Sequence, residues 1–510
     1  MSTPIELPFS FQHLSLPGGV RAAAARNPAK IALKHRDNQV SYGELLARVD
    51  QVCSGILNDI GLKHGQHAAI VSANSIEYLE IILGASQAGV GTATINPRLS
   101  PAEIIAICDD AEARVLFVDA YAALALADAS FATVERVITI GDEYEAWLAG
   151  QPLLDGIPSV EEWDTFTIPY TSGTTGKPKG VLVPHRSRVI SLYAMAVEYG
   201  CYTPDDRFLA IAPMCHGAGM IFALAPIFFG GYAEIMDKFE PEEVVRKFRD
   251  EQITGFFGVP THFHAIFSLE QGFLDQHRSG TLHTIISNAA PLPQTMKEKI
   301  IGHFGQILHE TYGSTEASIV SNLRPADQLR KQACVGQAFP GTLIEIRRDD
   351  GSICNADEVG ELFSTSSCLF NGYWNRPGET AEAFHDGWVT VGDLAKKDAE
   401  GHLYIVDRKK DMVISGGINI YPRDVEETLL QHPAISDIAV IGVPDDKWGE
   451  RLKAFVVKTP AAELDSDAII AFCEGRISGM KIPKDIEFID VLPRNASGKV
   501  LKTDLRKLAG

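Results

Sequence analysis

Helical and strand patterns alternate along the first part of the chain, and this alternation limits the fold more than any other feature. His67–Val71 is a short apolar run that predicts a buried strand, and residues 76–88 have the apolar spacing of a helix. Two further apolar runs, 114–118 and 136–140, also predict buried strands. Strands separated by helix-length connections pair as parallel sheet with helices on its faces. The first part of the chain is therefore predicted to be layered α/β.

The segment 208–233 has the length and composition of a possible membrane span, since it contains no Asp, Glu, Lys or Arg. Pro213, Pro226 and several glycines interrupt it. A spanning helix must satisfy its backbone hydrogen bonds internally, which two prolines and repeated glycine oppose. We therefore expect a buried strand, loop and helix here, and no integral membrane association.

Charge and cysteine usage narrow the partners and the compartment. Among 510 residues, 66 acidic side chains face 46 basic ones, giving a formal charge of −20. Such a surface repels phosphate backbones, so nucleic acid is not expected as a partner, and an anionic ligand must meet local positive charge. Eight cysteines lie scattered without CxxC or zinc-ligand spacing, which indicates a reducing compartment. Because residues 1–10 also lack a signal-peptide pattern, a cytoplasmic location is predicted.

A second, smaller domain is predicted after five consecutive charged residues at 407–411. Charge runs of this kind are usually solvated turns, which suits a domain boundary. The following hundred residues have strand and helix patterns of their own, at 422–430, 435–443, 452–457 and 466–477. The sequence therefore predicts two domains, residues 1–409 and residues 410–510.

The most informative run is Tyr-Thr-Ser-Gly-Thr-Thr-Gly-Lys-Pro-Lys-Gly at 170–180, directly after a strand pattern at 166–168. Glycines let the backbone approach an anion closely, turned N–H groups form an anion site, and the hydroxyls and Lys179 add donors and charge. A flexible interdomain loop has a similar composition. The run is not a Walker loop, because Gly176-Lys177 is followed by Pro178 rather than by Ser or Thr.

This run resembles the signature of the acyl-adenylate-forming superfamily, which includes acyl-CoA synthetases, peptide-synthetase adenylation domains and luciferases. Further motifs agree in order from about Ser41 to Lys502, and the chain is similar to free-standing acyl-CoA synthetases of the 4-coumarate–CoA-ligase type. The resemblance implies a large N-terminal domain of layered α/β subdomains and a small mobile α+β C-terminal domain. It also implies an AMP-forming acid–thiol ligase that uses ATP, Mg²⁺ and coenzyme A.

The run Tyr312-Gly-Ser-Thr-Glu316 resembles the adenine and metal motif of that superfamily. An aromatic ring offers a stacking face to a purine, and Glu316 offers a hard oxygen ligand to Mg²⁺. Taken alone, the same residues are more often a polar turn. The two motifs together imply these nucleotide-binding residues, with Glu316 as metal ligand: Thr171, Ser172, Gly173, Thr174, Thr175, Gly176, Lys179, Tyr312, Gly313 and Thr315.

Other nucleotide-binding positions also follow from the resemblance. Asn288 and Ala289 lie in a small-residue run like the loop beside the adenine, although that superfamily usually has glycine near this point. Asp393 resembles the aspartate that holds the ribose hydroxyls, and Arg408 an arginine that also reaches the ribose. Asn419 resembles a residue that approaches the nucleotide after domain closure. The simpler alternatives are a capped turn for Asp393 and a surface charge for Arg408.

The implied catalytic residues are Lys499, Glu316, His216 and Thr175. Lys499 lies in a C-terminal loop, Pro-Arg-Asn-Ala-Ser-Gly-Lys, that resembles the family's catalytic-lysine loop. A mobile ammonium neutralises the charge that develops when a carboxylate attacks the α-phosphorus of ATP. An exposed lysine is the ordinary alternative. His216 resembles a residue at the acyl and thiol tunnel, but a core histidine explains it equally well.

The implied reaction has two steps, adenylation of a carboxylic acid and transfer of the acyl group to coenzyme A. In the superfamily the small domain rotates between the steps, and Lys410 matches the hinge. Ser415–Gly417 is then expected to reach the active site, and residues 448–450 resemble a segment of free-standing CoA ligases. The alternatives are an acyl-AMP ligase that loads a carrier protein and a catalytically silent ATP-binding regulator.

The identity of the acid is the least determined prediction. By position, the pocket wall includes residues 216–220, 258–264 and 288–290. Glycines leave room near the carboxylate, Met220 and Phe263 are apolar, and no arginine lies within 262–269, which argues against a dicarboxylate. An aryl or medium-chain fatty acid is therefore predicted, with a role in fatty acid metabolism.

Overall fold

The computed structural model describes residues 14–154, 156–172, 178–494 and 500–509. These described residues fall into two compact units. The larger unit comprises Met1–Ile344 and Ser364–Val389, and the smaller comprises Glu345–Phe363 and Thr390–Gly510. The domain boundary predicted from the charged run, between residues 409 and 410, stays a prediction.

The strands of residues 31–389 form two main sheets, and the last four of these strands, which begin after residue 342, belong to neither of them. Their bounds are β1 Ile31–His35, β2 Asn38–Ser41, β3 His67–Val71, β4 Gly91–Ile95, β5 Ala113–Val118, β6 Arg136–Thr139, β7 Thr165–Ser172, β8 Pro178–Gly180, β9 Val183–Pro184, β10 Arg207–Ala210, β11 Tyr232–Ile235, β12 Gly255–Gly258, β13 Thr284–Ser287, β14 Leu308–Ser314, β15 Ser318–Leu323, β16 Gln337–Ala338, β17 Leu343–Arg347, β18 Gly360–Thr365, β19 Phe384–His385 and β20 Trp388–Val389.

Both sheets have a parallel centre. One has the order β6-β5-β3-β4-β7-β8, with β9 also on β7, and is parallel from β6 to β7. The other has the order β16-β15-β14-β13-β12-β10-β11-β1-β2, and is parallel from β14 to β1. In parallel sheets the carboxyl ends of the strands meet at one edge, which is where ligands bind in open α/β folds.

Helices connect and cover these strands. Their bounds are α1 Leu16–Arg26, α2 Tyr42–Ser54, α3 Ile76–Gln87, α4 Pro101–Asp110, α5 Ala120–Ala125, α6 Asp142–Ala149, α7 His185–Tyr199, α8 Gly217–Phe229, α9 Pro241–Asp250, α10 Pro260–Ile266, α11 Gln271–Gln276, α12 Gln294–Phe304 and α13 Pro377–Ala383. Side-chain capping defines where several of these helices begin. Ser41 and Ser100 cap α2 and α4 by capping boxes with Glu44 and Glu103.

The smaller unit is built mainly on antiparallel strands. Its strands are β21 Asp393–Lys397, β22 Leu403–Arg408, β23 Val413–Ser415, β24 Ile418–Ile420, β25 Ile435–Asp445, β26 Gly449–Lys458 and β27 Asp485–Phe488, and its helices are α14 Pro422–Leu429, α15 Ser466–Cys473 and α16 Lys502–Ala509. Strands β24, β23, β26 and β25 pair in that order, and β27 joins β26 in parallel. β21 and β22 form a hairpin, with Glu361 of β18 beside β21.

The fold class predicted from the sequence is confirmed, with a large N-terminal α/β part and a smaller C-terminal part. The uncharged segment 208–233 folds as β10, a loop, α8 and the start of β11, and both strands and most of the helix are buried. α8 has 13 residues and contains Pro226. Among the described residues, no helix is long and apolar enough to cross a membrane.

Candidate active site

The two ends of the Ser/Thr/Gly run lie on strands that pair with each other, at the end of a central parallel strand. β7 leads into it and β8 returns antiparallel, so that Thr171 lies opposite Lys179. Lys179 is buried, and its Nζ lies 5.2 Å from the ring centroid of Tyr373 and 3.6 Å from Oε1 of Glu379. The hairpin therefore fixes one buried ammonium beside the base of the predicted phosphate loop.

Several predicted residues in this loop lie outside the described part of the chain. They are Gly173, Thr174, Thr175 and Gly176, and the side chain of Ser172 is likewise not described. Their assignment to the nucleotide stays a prediction.

Glu316, the predicted metal ligand, lies in the turn between β14 and β15. It is buried, and its Oε1 accepts a hydrogen bond from the hydroxyl of Tyr373 at 2.9 Å. Tyr373 reaches this place because its segment pairs with the chain just after β8, through Trp374 N to Gly180 O at 2.9 Å and a bridge to Val181. The structure thus brings two predicted residues to one tyrosine, with Glu316 at its hydroxyl and Lys179 near its ring.

The sequence did not single out Tyr373. It lies 57 residues after Glu316, and aromatic residues in loops are common, so no local pattern marks it. Burial and the neighbouring Glu316 carboxylate both raise its pKa, so Tyr373 stays a neutral hydrogen-bond donor.

Tyr312 and Gly313 end β14 at a bulge in its pairing with β15. A Cβ on Gly313 would lie 2.1 Å from the carbonyl oxygen of Ser318, so the close backbone approach requires glycine. Tyr312, Gly313 and Thr315 are all partly exposed. The structure therefore places this predicted adenine motif at an accessible edge, with Glu316 buried behind it.

The small-residue loop after β13 lies next to that motif. The Nδ2 of Asn288 donates to the Oγ1 of Thr311 at 3.0 Å, which ties the loop to β14. Ala289 has a φ of 76°, the left-handed conformation that favours glycine, and it is exposed. Both predicted residues are accessible beside Tyr312's strand.

A buried ion pair that the sequence did not indicate holds the segment after β13. Lys297 on α12 contacts the Oε2 of Glu310 on β14, and the two side chains are 2% and 5% exposed. The Oε1 of Glu310 accepts the N–H of Leu292 at 3.0 Å. Glu310 thereby connects α12, the loop that carries Asn288, and the strand that carries Tyr312.

His216 caps the start of α8 and is partly exposed. Its Nε2 lies 3.4 Å from the Nδ2 of Asn96, which follows β4. Burial and then the positive charge of Arg98 lower its pKa, so the imidazole is predominantly neutral at pH 7. A neutral ring at a helix start suits a gating or orienting role, and the catalytic assignment stays a prediction.

The predicted acyl pocket segments are positioned by α8 and α10. Gly219 allows α8 to start tightly, because a Cβ there would lie 2.1 Å from the oxygen of Pro213. Met220 and Phe263 are buried. The ring of His262 stacks on Phe239 with centroids 4.3 Å apart, and burial lowers the pKa of His262 to about 4. His262 is therefore a neutral part of an apolar wall.

In the smaller unit, the two predicted ribose residues are direct partners. Asp393 begins β21 and Arg408 ends β22, and they lie opposite each other in the hairpin. The Nε of Arg408 is 3.2 Å from Oδ1 of Asp393, which is buried, while Arg408 is about one-third exposed. A carboxylate that an arginine holds in place presents oxygen acceptors suited to the two hydroxyls of a diol.

The glycine pair predicted to approach the thiol lies in the turn of the β23–β24 hairpin. Gly416 and Gly417 have φ values of 58° and 78°. A Cβ on Gly416 would meet the ring of Trp448 at 2.7 Å, and Gly416 N donates to Trp448 O at 2.8 Å. Asn419 on β24 is exposed. The turn therefore keeps an open backbone beside one aromatic ring.

Lys499 lies outside the described residues, and the segments on either side of it contact each other. Arg494 and Val500 form an antiparallel bridge, and Leu501 N donates to Pro493 O at 2.8 Å. Helix α16 begins at Lys502, directly after these two contacts. Residues 494 and 500, which flank the segment of Lys499 in the sequence, therefore lie side by side in the smaller unit.

Two family models match this chain. The model of the AMP-binding enzyme covers residues 20–374, and that of the AMP-binding enzyme C-terminal domain covers residues 424–499. The chain belongs to the AMP-binding enzyme family.

Individual relatives of this AMP-binding enzyme agree over almost the full length. The 2-succinylbenzoate–CoA ligase of Bacillus cereus (strain Q1) is 32% identical over 496 residues, covering 97% of this chain and 99% of that protein. The feruloyl-CoA synthase of Amycolatopsis sp. is 33% identical over 494 residues, covering 96% and 97%. The crystal structure of ATP-bound MatB from Rhodopseudomonas palustris matches with a TM-score of 0.87 at 27% identity, covering 97% and 99%.

These matches confirm the family predicted from the sequence, and with it an AMP-forming acid–thiol ligase that uses ATP. The residues present also fit the metal that the family motif implies. Glu316 supplies a carboxylate whose second oxygen has no partner among the described residues, and Mg²⁺ binds through one or two carboxylates plus substrate phosphates. The described residues hold no cluster of three or more His, Cys, Asp or Glu that forms a metal cage. Glu316 would therefore hold such a metal together with substrate phosphates.

Proposed function

We propose that this AMP-binding enzyme is an AMP-forming carboxylate–CoA ligase. In the first step the acid's carboxylate attacks the α-phosphorus of ATP, the bond to the β-phosphate breaks, and acyl-AMP and pyrophosphate form. In the second step the thiol of coenzyme A attacks the acyl carbonyl, loses its proton and displaces AMP. The products are the acyl-CoA thioester, AMP and pyrophosphate.

The observation that carries this proposal is the cluster of Lys179, Tyr373 and Glu316 beside the β7–β8 hairpin. In this cluster a buried cation and a buried carboxylate both lie next to Tyr373, near the carboxyl end of a parallel strand. The cation attracts phosphate oxygens, and the carboxylate offers an oxygen to Mg²⁺. Mg²⁺ bound there with the phosphates would stabilise the negative charge that moves onto pyrophosphate.

The remaining nucleotide contacts follow from the accessible loops. Tyr312 offers its ring to the adenine, with Asn288 and Ala289 on the neighbouring loop and Thr315 donating to a phosphate. Asp393 accepts hydrogen bonds from the ribose hydroxyls, and Arg408 keeps its carboxylate in place. Asn419 then joins the nucleotide contacts when the C-terminal domain closes.

Lys499 is proposed to act in the first step only. Its ammonium neutralises the attacking carboxylate and the departing pyrophosphate, and rotation about Lys410 then withdraws it. The same rotation brings the Gly416–Gly417 turn to the acyl group. An open glycine backbone beside Trp448 leaves room for an extended pantetheine arm.

Coenzyme A is the proposed acceptor because the named relatives include CoA ligases and a CoA synthase over nearly the whole chain. Mass-spectrometric detection of the thioester after incubation with ATP, Mg²⁺, acid and CoA tests this. A thioester formed only on a carrier protein would identify a carrier-loading enzyme instead. Absence of acid-dependent pyrophosphate exchange into ATP across a broad acid panel would identify a silent ATP-binding regulator.

The proposed acid has an aryl or medium-chain apolar body. Met220, Phe263 and the stacked His262–Phe239 pair supply the apolar wall, and the glycines at the start of α8 leave space near the reacting carboxylate. A turnover assay over short, medium and aryl acids tests the size class. A preference for acetate over every bulky acid would contradict it.

A further inference from the structure

We propose that Arg188 forms an anion-binding subsite in the acyl pocket, and that the natural acid carries a second negatively charged group, such as a carboxylate, at its far end. This inference rests on the proposed function, because it names the class of acid that the same pocket accepts. It adds a specificity-determining residue on a helix outside all the motifs described above.

Arg188 lies on the first turns of α7 and is 4% exposed. Its Nε and Nη2 are buried, and neither has a hydrogen-bond partner in the described part of the chain. No carboxylate of the described residues pairs with it. A guanidinium carries five donors in a rigid fork, so a buried one without an acceptor is a strong departure from ordinary packing.

Two serines that neighbour Arg188 on α7 direct their hydroxyls to other groups. The hydroxyl of Ser187 donates to the carbonyl of Cys368 at 2.6 Å, and that of Ser191 donates to Ser187 O at 2.7 Å. Ser191 Oγ also lies 2.7 Å from the hydroxyl of Ser318. None of these bonds is made by Nε or Nη2 of Arg188, which stay without an acceptor among the described residues.

The position of the guanidinium relates it to the acyl pocket. It faces Gly217, the residue after His216 at the start of α8, and a Cβ on Gly217 would lie 3.1 Å from Nη2. The absence of a side chain at 217 therefore provides the space that the arginine fork occupies. Because residues 216–218 are partly exposed, this fork lies directly behind an accessible wall of the predicted pocket.

The energetics favour a ligand that brings an anion. Burial lowers the pKa of Arg188 to about 10, which still leaves it charged at pH 7. An unpaired buried charge is destabilising, and a bidentate carboxylate, sulfonate or similar group is the partner that a guanidinium fork matches best. Residues 262–269 contain no arginine, which argued against a dicarboxylate, but Arg188 lies outside that segment, on α7.

The test compares diacids with their monomethyl esters, over linear C4–C8 and phthalate-type acids, in acid-dependent AMP formation. For at least one pair, wild-type kcat/KM for the diacid is expected to exceed that for the ester by on the order of 10²-fold. Arg188→Met should abolish this preference, and Arg188→Lys should restore part of it. Arg186→Met is the matched control, because Arg186 is two residues away and pairs with Glu162 at 3.0 Å.

Two results would overturn the proposal: esters used as well as diacids throughout the wild-type panel, or a diacid preference that survives in Arg188→Met. If no acid supports AMP formation, the proposed function fails, and thermal shift then decides the subsite separately. A rise in Tm with a diacid in wild type and Arg186→Met, but not in Arg188→Met, would retain the anion subsite. No rise in any of them would exclude it.

Discussion

Removal of Lys297 tests how strongly the buried ion pair holds the adenine-side loop. In Lys297→Met, an apolar chain of similar length replaces the ammonium, and Glu310 keeps a buried carboxylate without its cation. The two side chains are 2% and 5% exposed, so water compensates little. Breaking a buried pair by removing one partner typically costs about 3–5 kcal/mol, and we expect the free energy of unfolding to fall by that amount.

The same cost predicts a measurable change in melting temperature. The larger unit comprises about 370 residues, and the entropy of unfolding averages about 2.1 cal/mol/K per residue, so its Tm should fall by about 4–6 °C. Differential scanning calorimetry of wild type and Lys297→Met measures this change. The pyrophosphate-exchange KM for ATP should rise as well, because Glu310 also holds the N–H of Leu292.

The double variant Lys297→Met, Glu310→Gln supplies the control. It removes both charges while the amide oxygen of the introduced glutamine still accepts from Leu292 N, so most of the lost stability should return. The reasoning is refuted if Lys297→Met melts within about 1 °C of wild type, or if the double variant is no more stable than the single one.

Three further predictions address the catalytic cluster, the C-terminal loop and acid stability. Tyr373→Phe removes the hydroxyl that holds Glu316 and should reduce the rate of pyrophosphate exchange by about tenfold. An unchanged Tm would show that the fold is retained. An unchanged exchange rate would show that Tyr373 has no role in the site. Lys499→Ala should abolish most adenylation but spare thioester formation from supplied acyl-AMP, measured by mass spectrometry, and equal loss in both steps would contradict its role. Burial lowers the pKa of His185 to about 4 from an unfolded value near 6.5, so its contribution to stability is complete above pH 6.5 and is lost as the pH falls toward 4. Between pH 7.5 and pH 5 His185 should contribute about 2 kcal/mol of the stability lost in denaturant melts, and His185→Gln should make the loss over that range smaller by about this amount.

Sequence patterns located many elements because they report local burial. The predicted strand at His67–Val71 has the bounds of β3, and the helix over 76–88 corresponds to α3. Helix α2, which begins after Ser41, continues into a π-helix at Gly55–Asp59. A Cβ on Gly55 would lie 2.3 Å from the ring of Trp147, a contact with a distant segment that no local pattern contains.

The interactions that the sequence could not indicate are those between distant positions. The Tyr373–Glu316 hydrogen bond spans 57 residues, and the fork of Arg188 meets Gly217 on the next helix. Motif resemblance named Glu316 and Lys179 separately, but only the pairing of the segments around β8 places Tyr373 between them. Buried partners of this kind depend on sheet order, which apolar periodicity does not specify.

The indole ring of Trp448, which lies against Gly416, gives the smaller unit an intrinsic fluorescent probe. Trp448 is the single tryptophan of residues 390–510, and it is 46% exposed. Its emission is sensitive to any change in the solvent around the β23–β24 turn. A chain whose other four tryptophans are replaced by phenylalanine would let stopped-flow fluorescence follow that turn in real time during each half-reaction, without an attached dye.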